Sequence, residues 1–99
     1  MLNINTTKDG DALTITLEGR LDTITAPSLE NELNESLTGV TDLIFNLQDL
    51  QYISSAGLRV LLTAQKVMNR QGSMVVRNAS DDVKEIFDVT GFSDILTIE

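Results

Sequence analysis

The segment Tyr52-Ile53-Ser54-Ser55-Ala56-Gly57-Leu58-Arg59 holds the residues of this chain best placed to do chemistry. It joins the end of an apolar run to the start of an amphipathic one, so it reads as a strand-to-helix junction. Hydroxyls at such a junction stand in the open, beside the unpaired backbone N–H groups of the new helix. Those groups and the helix dipole favour an anion, so a serine here is well placed to carry a phosphate. Serine is also a preferred helix N-cap, and a purely structural cap accounts for the same residues. The two roles are compatible, because a phosphate held at a helix start need not unfold the helix.

Most other chemistry is missing. The chain has no histidine and no cysteine. The commonest general base, the thiol nucleophile, thiolate metal sites and disulfides are therefore all excluded. Asp9 with Asp11 and Asp81 with Asp82 are paired carboxylates, but the first pair suits a turn and the second a helix start. Asp49 and Lys66 do not make the acid cluster with a neutralising lysine that aspartyl phosphorylation needs. Gly57 stands alone, without a glycine-rich phosphate loop. A self-sufficient enzyme is not expected, nor a bound cofactor or metal. What remains is a serine that another protein modifies.

The elements that must position those serines follow from periodicity. Leu2, Ile4 and Thr6, then Leu13, Ile15 and Leu17, alternate with polar residues around Lys8-Asp9-Gly10-Asp11, which predicts an antiparallel hairpin on an Asp-Gly turn. Pro27 opens a helix carrying Leu29, Leu33 and Leu37 on one face, closed near Gly39. Leu43-Ile44-Phe45 and Leu47 suit a strand covered on both faces, followed by a loop from Gln48 to Ile53. The second helix runs from the serines to about Arg70, and Met74-Val75-Val76 makes the next strand. Ser80 caps a third helix with Val83, Ile86 and Phe87 inside and Gly91 at its end, and Ile95–Ile98 is read as a last strand.

The order ββαβαβαβ predicts one α/β domain over residues 1–99: a mostly parallel sheet with an antiparallel N-terminal hairpin, and helices packed on it. Sites in such sheets gather at the carboxyl ends of strands, where Ser54 and Ser55 would meet the turn Gly19-Arg20-Leu21-Asp22. At 99 residues there is no room for a second domain. Fifteen acids against seven bases give a net charge of −8, which repels nucleic acid and favours a partner with a basic docking face. No apolar run reaches the length of a membrane span, and Met1-Leu2-Asn3-Ile4 is unlike a signal peptide, so direct membrane insertion is not expected and a cytoplasmic location is.

Gly19-Arg20-Leu21-Asp22 with Thr25-Ala26, then Tyr52-Ile53-Ser54-Ser55-Ala56-Gly57-Leu58, resembles the STAS domain of bacterial anti-sigma factor antagonists. The element order and the stretch Val83-Lys84-Glu85-Ile86-Phe87 before Thr90-Gly91-Phe92 extend the resemblance over nearly the whole chain. The resemblance implies a non-enzymatic switch in a partner-switching pathway. The unphosphorylated antagonist binds an anti-sigma factor that is also a serine kinase, and so frees the sigma factor. Phosphorylation ends the binding, and a serine phosphatase resets it. By position the phosphoacceptor is Ser55, with Ser54 as a competing hydroxyl where the family usually has aspartate. Asp22, Thr25, Ser54, Ser55, Ala56, Gly57, Leu58 and Arg59 fall at the partner-facing edge, although the spacing of Leu58 with Leu61 and Leu62 places it in the core. Two other roles stay open on the sequence: a phosphorylation-independent STAS adaptor of a membrane transport or signalling complex, and a self-assembling scaffold subunit.

Overall fold

The structure is a computed structural model and describes residues 2–99. Its elements are β1 (Leu2–Asp9), β2 (Ala12–Leu21), α1 (Ala26–Ser36), β3 (Asp42–Ile53), α2 (Ser55–Gln71), β4 (Ser73–Arg77) and α3 (Asp81–Thr90). A short 3-10 turn, Phe92–Asp94, follows. The sheet order is β1-β2-β3-β4, antiparallel between β1 and β2 and parallel across β2, β3 and β4. None of the described helices is long and apolar enough to cross a membrane.

The hairpin closes one residue later than the Asp-Gly reading. Asp9 pairs with Ala12, so Gly10 and Asp11 form the turn. Gly10 takes φ +62 and Asp11 has no positive φ, which matches a two-residue turn with glycine first, whose twist suits the flanking strands.

Leu13, Ile15 and Leu17 of β2, Leu43, Phe45 and Leu47 of β3, and Met74 and Val76 of β4 all enter one core. Leu29 and Leu33 of α1, Leu61, Ala64 and Met68 of α2, and Val83 and Phe87 of α3 close over it. The alternate residues Thr14, Thr16, Ile44, Asn46 and Val75 are only partly buried and lie outside that core. β3 is therefore covered on one face, and the expectation of cover on both is corrected. Thr14, Thr16 and Asn46 tolerate that wet face because their polar groups can meet water.

Two further corrections concern the strands. Gln48–Ile53 is not a loop but the end of β3, and Gly19–Leu21 is not a turn but the end of β2. Pairing passes from Thr16↔Asn46 to Glu18↔Asp49 and from Gly19↔Leu50 to Arg20↔Tyr52, so β3 carries one extra residue at each step. Such bulges bend a strand and break its two-residue alternation. Burial accordingly recurs every three residues at Leu47, Leu50 and Ile53. The final strand reduces to one parallel bridge, Val76↔Ile98. The Ile95 and Leu96 N–H groups turn back to the Phe92 carbonyl at 3.0 and 2.8 Å, which leaves only Thr97 and Glu99 to bond Val76.

Candidate functional site

The bulged end of β3 delivers Ser54 beside the end of β2, where its N–H donates to the Leu21 carbonyl at 2.8 Å. Ser54 is extended, with φ −94 and ψ 175, and its Oγ accepts from the Gly57 N–H at 3.3 Å. It is thus the N-cap of α2, and its carbonyl takes the first helical bond from Leu58 at 2.9 Å. Ser55 is the first helical residue and is exposed. No described residue takes a hydrogen bond from its hydroxyl, and the N–H groups of Ser55 and Ala56 remain free for an anion. The structure therefore separates the two serines: one hydroxyl is engaged in the fold, the other faces solvent.

The helix start rests directly on the strand ends. A Cβ placed on Gly57 would lie 2.7 Å from Leu21 Cγ and 2.9 Å from Ile53 Cγ1. Only a residue without a side chain lets α2 approach that closely. Leu58 is 4 % exposed and belongs to the core, so it and the buried Gly57 shape the site from beneath and present no side chain to a partner. Ala56 is partly buried and Arg59 is exposed, and both line a groove of about 160 Å³ between the starts of α1 and α2. Thr23, Ala26, Pro27, Glu30 and Val60 complete that groove. Among the described residues Arg59 has no ion-pair partner; the pair present is Arg77 with Glu99 at 2.8 Å.

The second motif forms the other wall. Asp22 Oδ1 accepts from the N–H groups of Ile24 and Thr25, each at 3.0 Å. Thr25 Oγ1 accepts from the Asp22 N–H at 2.9 Å and shares its proton between the Arg20 carbonyl at 2.8 Å and Asp22 Oδ1 at 3.1 Å. The hydrogen bond from the Thr25 N–H is the main cause holding the Asp22 carboxyl below its ordinary value; desolvation opposes it, and the Thr25 hydroxyl and the Ile24 N–H add lesser lowering contributions. Asp22 and Thr25 are thus locked to one another across the β2–α1 turn, and their polar atoms serve the turn.

Sequence reasoning assigned no role to three residues at this edge. Arg20 and Tyr52, register partners at the strand ends, stack with the guanidinium carbon 4.4 Å from the ring centroid. Ile24, on the turn that Asp22 ties, is 86 % exposed. Its signal in the sequence is an apolar residue between two threonines with no periodic apolar companion.

A groove of about 550 Å³ lies elsewhere, between the ends of β2 and β3 and the start of α3. Glu18, Asp49 and Asp82 line it without a cation, which disfavours a phosphate-bearing ligand there. Among the described residues no group of three or more acids could hold a metal ion.

Comparison with known proteins agrees with this geometry. The STAS domain family model matches residues 3–99. The anti-sigma-B factor antagonist of Bacillus subtilis is 30 % identical over 98 residues, covering 98 % of this chain and 90 % of its own length. An anti-sigma factor antagonist from Mycobacterium paratuberculosis superposes with a TM-score of 0.89 at 17 % identity, over 99 % of this chain and 85 % of that one. SpoIIAA, a Bacillus cell fate determinant solved in its phosphorylated form, superposes with a TM-score of 0.76 at 18 % identity, over 98 % of this chain and 91 % of its own. With a helix start fitted tightly onto two strand ends and a family match over almost every residue, this chain belongs to the STAS-domain family of anti-sigma factor antagonists.

Proposed function

We propose that this protein is a phosphorylation-controlled antagonist whose acceptor is Ser55. Unphosphorylated, it binds an anti-sigma factor that is also a serine kinase and so releases the sigma factor. Phosphorylated at Ser55 by that kinase, it no longer binds, and a serine phosphatase restores it. The observation that carries the reading is the difference between the two serines: Ser54 Oγ caps α2, while the Ser55 hydroxyl is exposed and free. The phosphorylated form of SpoIIAA, a protein of the same fold, supports it.

A phosphate adds about −1.5 to −2 charges at neutral pH. At α2's first residue it meets the two free N–H groups and the positive end of the helix dipole, so the isolated domain keeps its fold. Buried in an interface without a matched cation, the same group disfavours binding strongly, and every 1.4 kcal/mol or so is about tenfold in affinity. The acidic chain, at −8, suits a kinase with a basic docking face and is ill suited to nucleic acid.

The test combines the purified chain with its anti-sigma factor kinase and ATP. One phosphate is expected, located on Ser55 by peptide mass spectrometry, and Ser55→Ala abolishes it while Ser54→Ala does not. Ser55→Ala retains the kinase and Ser55→Asp loses it. Equal binding by both variants, with no phosphate on Ser55, overturns the switch and leaves a phosphorylation-independent adaptor.

A further inference from the structure

Among the described residues twenty-five hydrophobic ones are buried and four large ones are exposed: Ile24, Tyr52, Val89 and Ile95. A single exposed apolar side chain is ordinary on a protein surface. Ile24 differs in three respects. At 86 % it is the most exposed of the four. Its backbone is not a loose tip, since its N–H and that of Thr25 are both held by Asp22 Oδ1 at 3.0 Å, and the Ala26 N–H bonds the Asp22 carbonyl at 2.8 Å. Its neighbour Thr23 lines the same small groove as Ala56 and Arg59, which places the turn against the first turn of α2 that carries Ser55.

A protruding aliphatic group on a braced turn loses little backbone freedom when a partner covers it. That is the profile of a binding anchor at the centre of an interface, surrounded by contacts that exclude water. The groove beside the turn offers such contacts: Thr23 and Pro27 are uncharged, while Glu30 and Arg59 offer one charge of each sign.

We infer that Ile24 is the hydrophobic anchor of the docking surface, and that the kinase presents an apolar pocket beside its phosphoryl-donor site to receive it. The inference rests on the reading of Ser55 given above. It assigns affinity to the β2–α1 turn and the charge switch to Ser55. Asp22 and Thr25 then act as positioning residues, since their polar atoms bond the turn that aims Ile24. Val89, also 76 % exposed but on the last turn of α3, has no such setting and serves as the control.

The experiment uses the purified anti-sigma factor kinase that transfers phosphate from ATP to Ser55. Its affinity is measured for the unmodified chain and for Ile24→Ala, Ile24→Met and Val89→Ala, alongside kcat/KM for phosphorylation and a thermal melt of each variant. Ile24→Ala is expected to weaken binding about tenfold or more. Its kcat/KM falls in parallel and its melt is unchanged, because Ile24 is 86 % exposed in the free chain. Ile24→Met, which keeps apolar volume, recovers most of the loss, and Val89→Ala leaves binding intact. Ile24→Ala binding within about twofold of the unmodified chain, with Ser55 still phosphorylated, overturns the anchor and leaves the switch standing. Absence of phosphate on Ser55 in the unmodified chain overturns the switch itself, and the anchor with it.

Discussion

Gly57→Ala is the perturbation that most directly probes how the site is built. The added Cβ would stand 2.7 Å from Leu21 Cγ, 2.9 Å from Ile53 Cγ1 and 3.0 Å from Leu21 Cδ2. Two of those atoms are branch points or mid-chain carbons, and Leu21 and Ile53 are 0 % and 1 % exposed, so neither side chain can swing into solvent. Overpacking of this kind costs about 1–3 kcal/mol. Alanine's better helix propensity returns at most about 1 kcal/mol, and less in a first turn than in a helix interior. The net loss is about 1–2 kcal/mol, which for a domain of this size lowers Tm by roughly 5–15 °C. Thermal unfolding followed by circular dichroism measures it, with phosphate incorporation at Ser55 as a second readout, because relief of the clash tilts the start of α2 away from the strands. A double variant with Leu21→Ala, which removes the crowding Cγ and Cδ2, is expected to be more stable than the sum of the two single losses. A Gly57→Ala protein that melts at or above the unmodified chain would refute the packing argument.

Three other substitutions test the surrounding frame. Ser54→Ala removes the cap on Gly57 and is expected to cost about 1 kcal/mol by urea denaturation, while Ser54→Asp, which can accept the same bond, keeps most of it. Gln71→Ala removes the donor to the Leu37 and Val40 carbonyls at 2.9 and 2.7 Å, and with it about 1–2 kcal/mol, because that side chain ties the end of α1 to the end of α2. Asp22→Asn tests the pH dependence: the folded carboxyl is held below the ordinary value of 3.8, so its contribution is fully present above that pH, fades beneath it and is gone once pH falls through the lower folded value. The stability gap between the unmodified and Asp22→Asn chains should therefore be constant from pH 7 to about 5 and close in stronger acid, and a gap that widens on acidification would contradict the sign.

The parts of this fold legible in the sequence are those where local chemistry and packing agree. Ser80 caps α3 by accepting from the Val83 N–H at 3.2 Å, Asp81 and Asp82 occupy its first turn, and Gly91 ends it in the left-handed region at φ +82. The helical spacing of Leu58 with Leu61 gave its burial for the same reason. The end of β3 was not legible, because two bulges replace a period of two with a period of three and make Gln48–Ile53 look irregular. Nor was the uncovered face: Ile44 and Val75 are apolar on a side that no core residue shares, and an apolar run does not reveal which of its faces is packed. At the site, the sequence marked both serines but could not divide them, since the division depends on which Oγ the Gly57 N–H finds.

The same frame argues for a switch that works at short range and by charge. Ser55 lies between a capped helix start and a strand end bonded at 2.8 Å, with Gly57 pressed on Leu21 beneath it, so a phosphate has no loose segment here to order or release. Nor can it act chiefly through the long-range field. The chain already carries −8, and about two further negative charges strengthen its attraction for a basic partner rather than weaken it. On the proposed reading, a phosphate at Ser55 would oppose the last step of docking, when water must leave the junction and the charge is brought against the partner. Encounter would then be preserved and the bound state lost, so the effect would belong to dissociation rather than association. A rigid acceptor at Ser55 and an apolar anchor at Ile24 would suit that division, because affinity and its cancellation would reside on one surface and neither would require the fold to move.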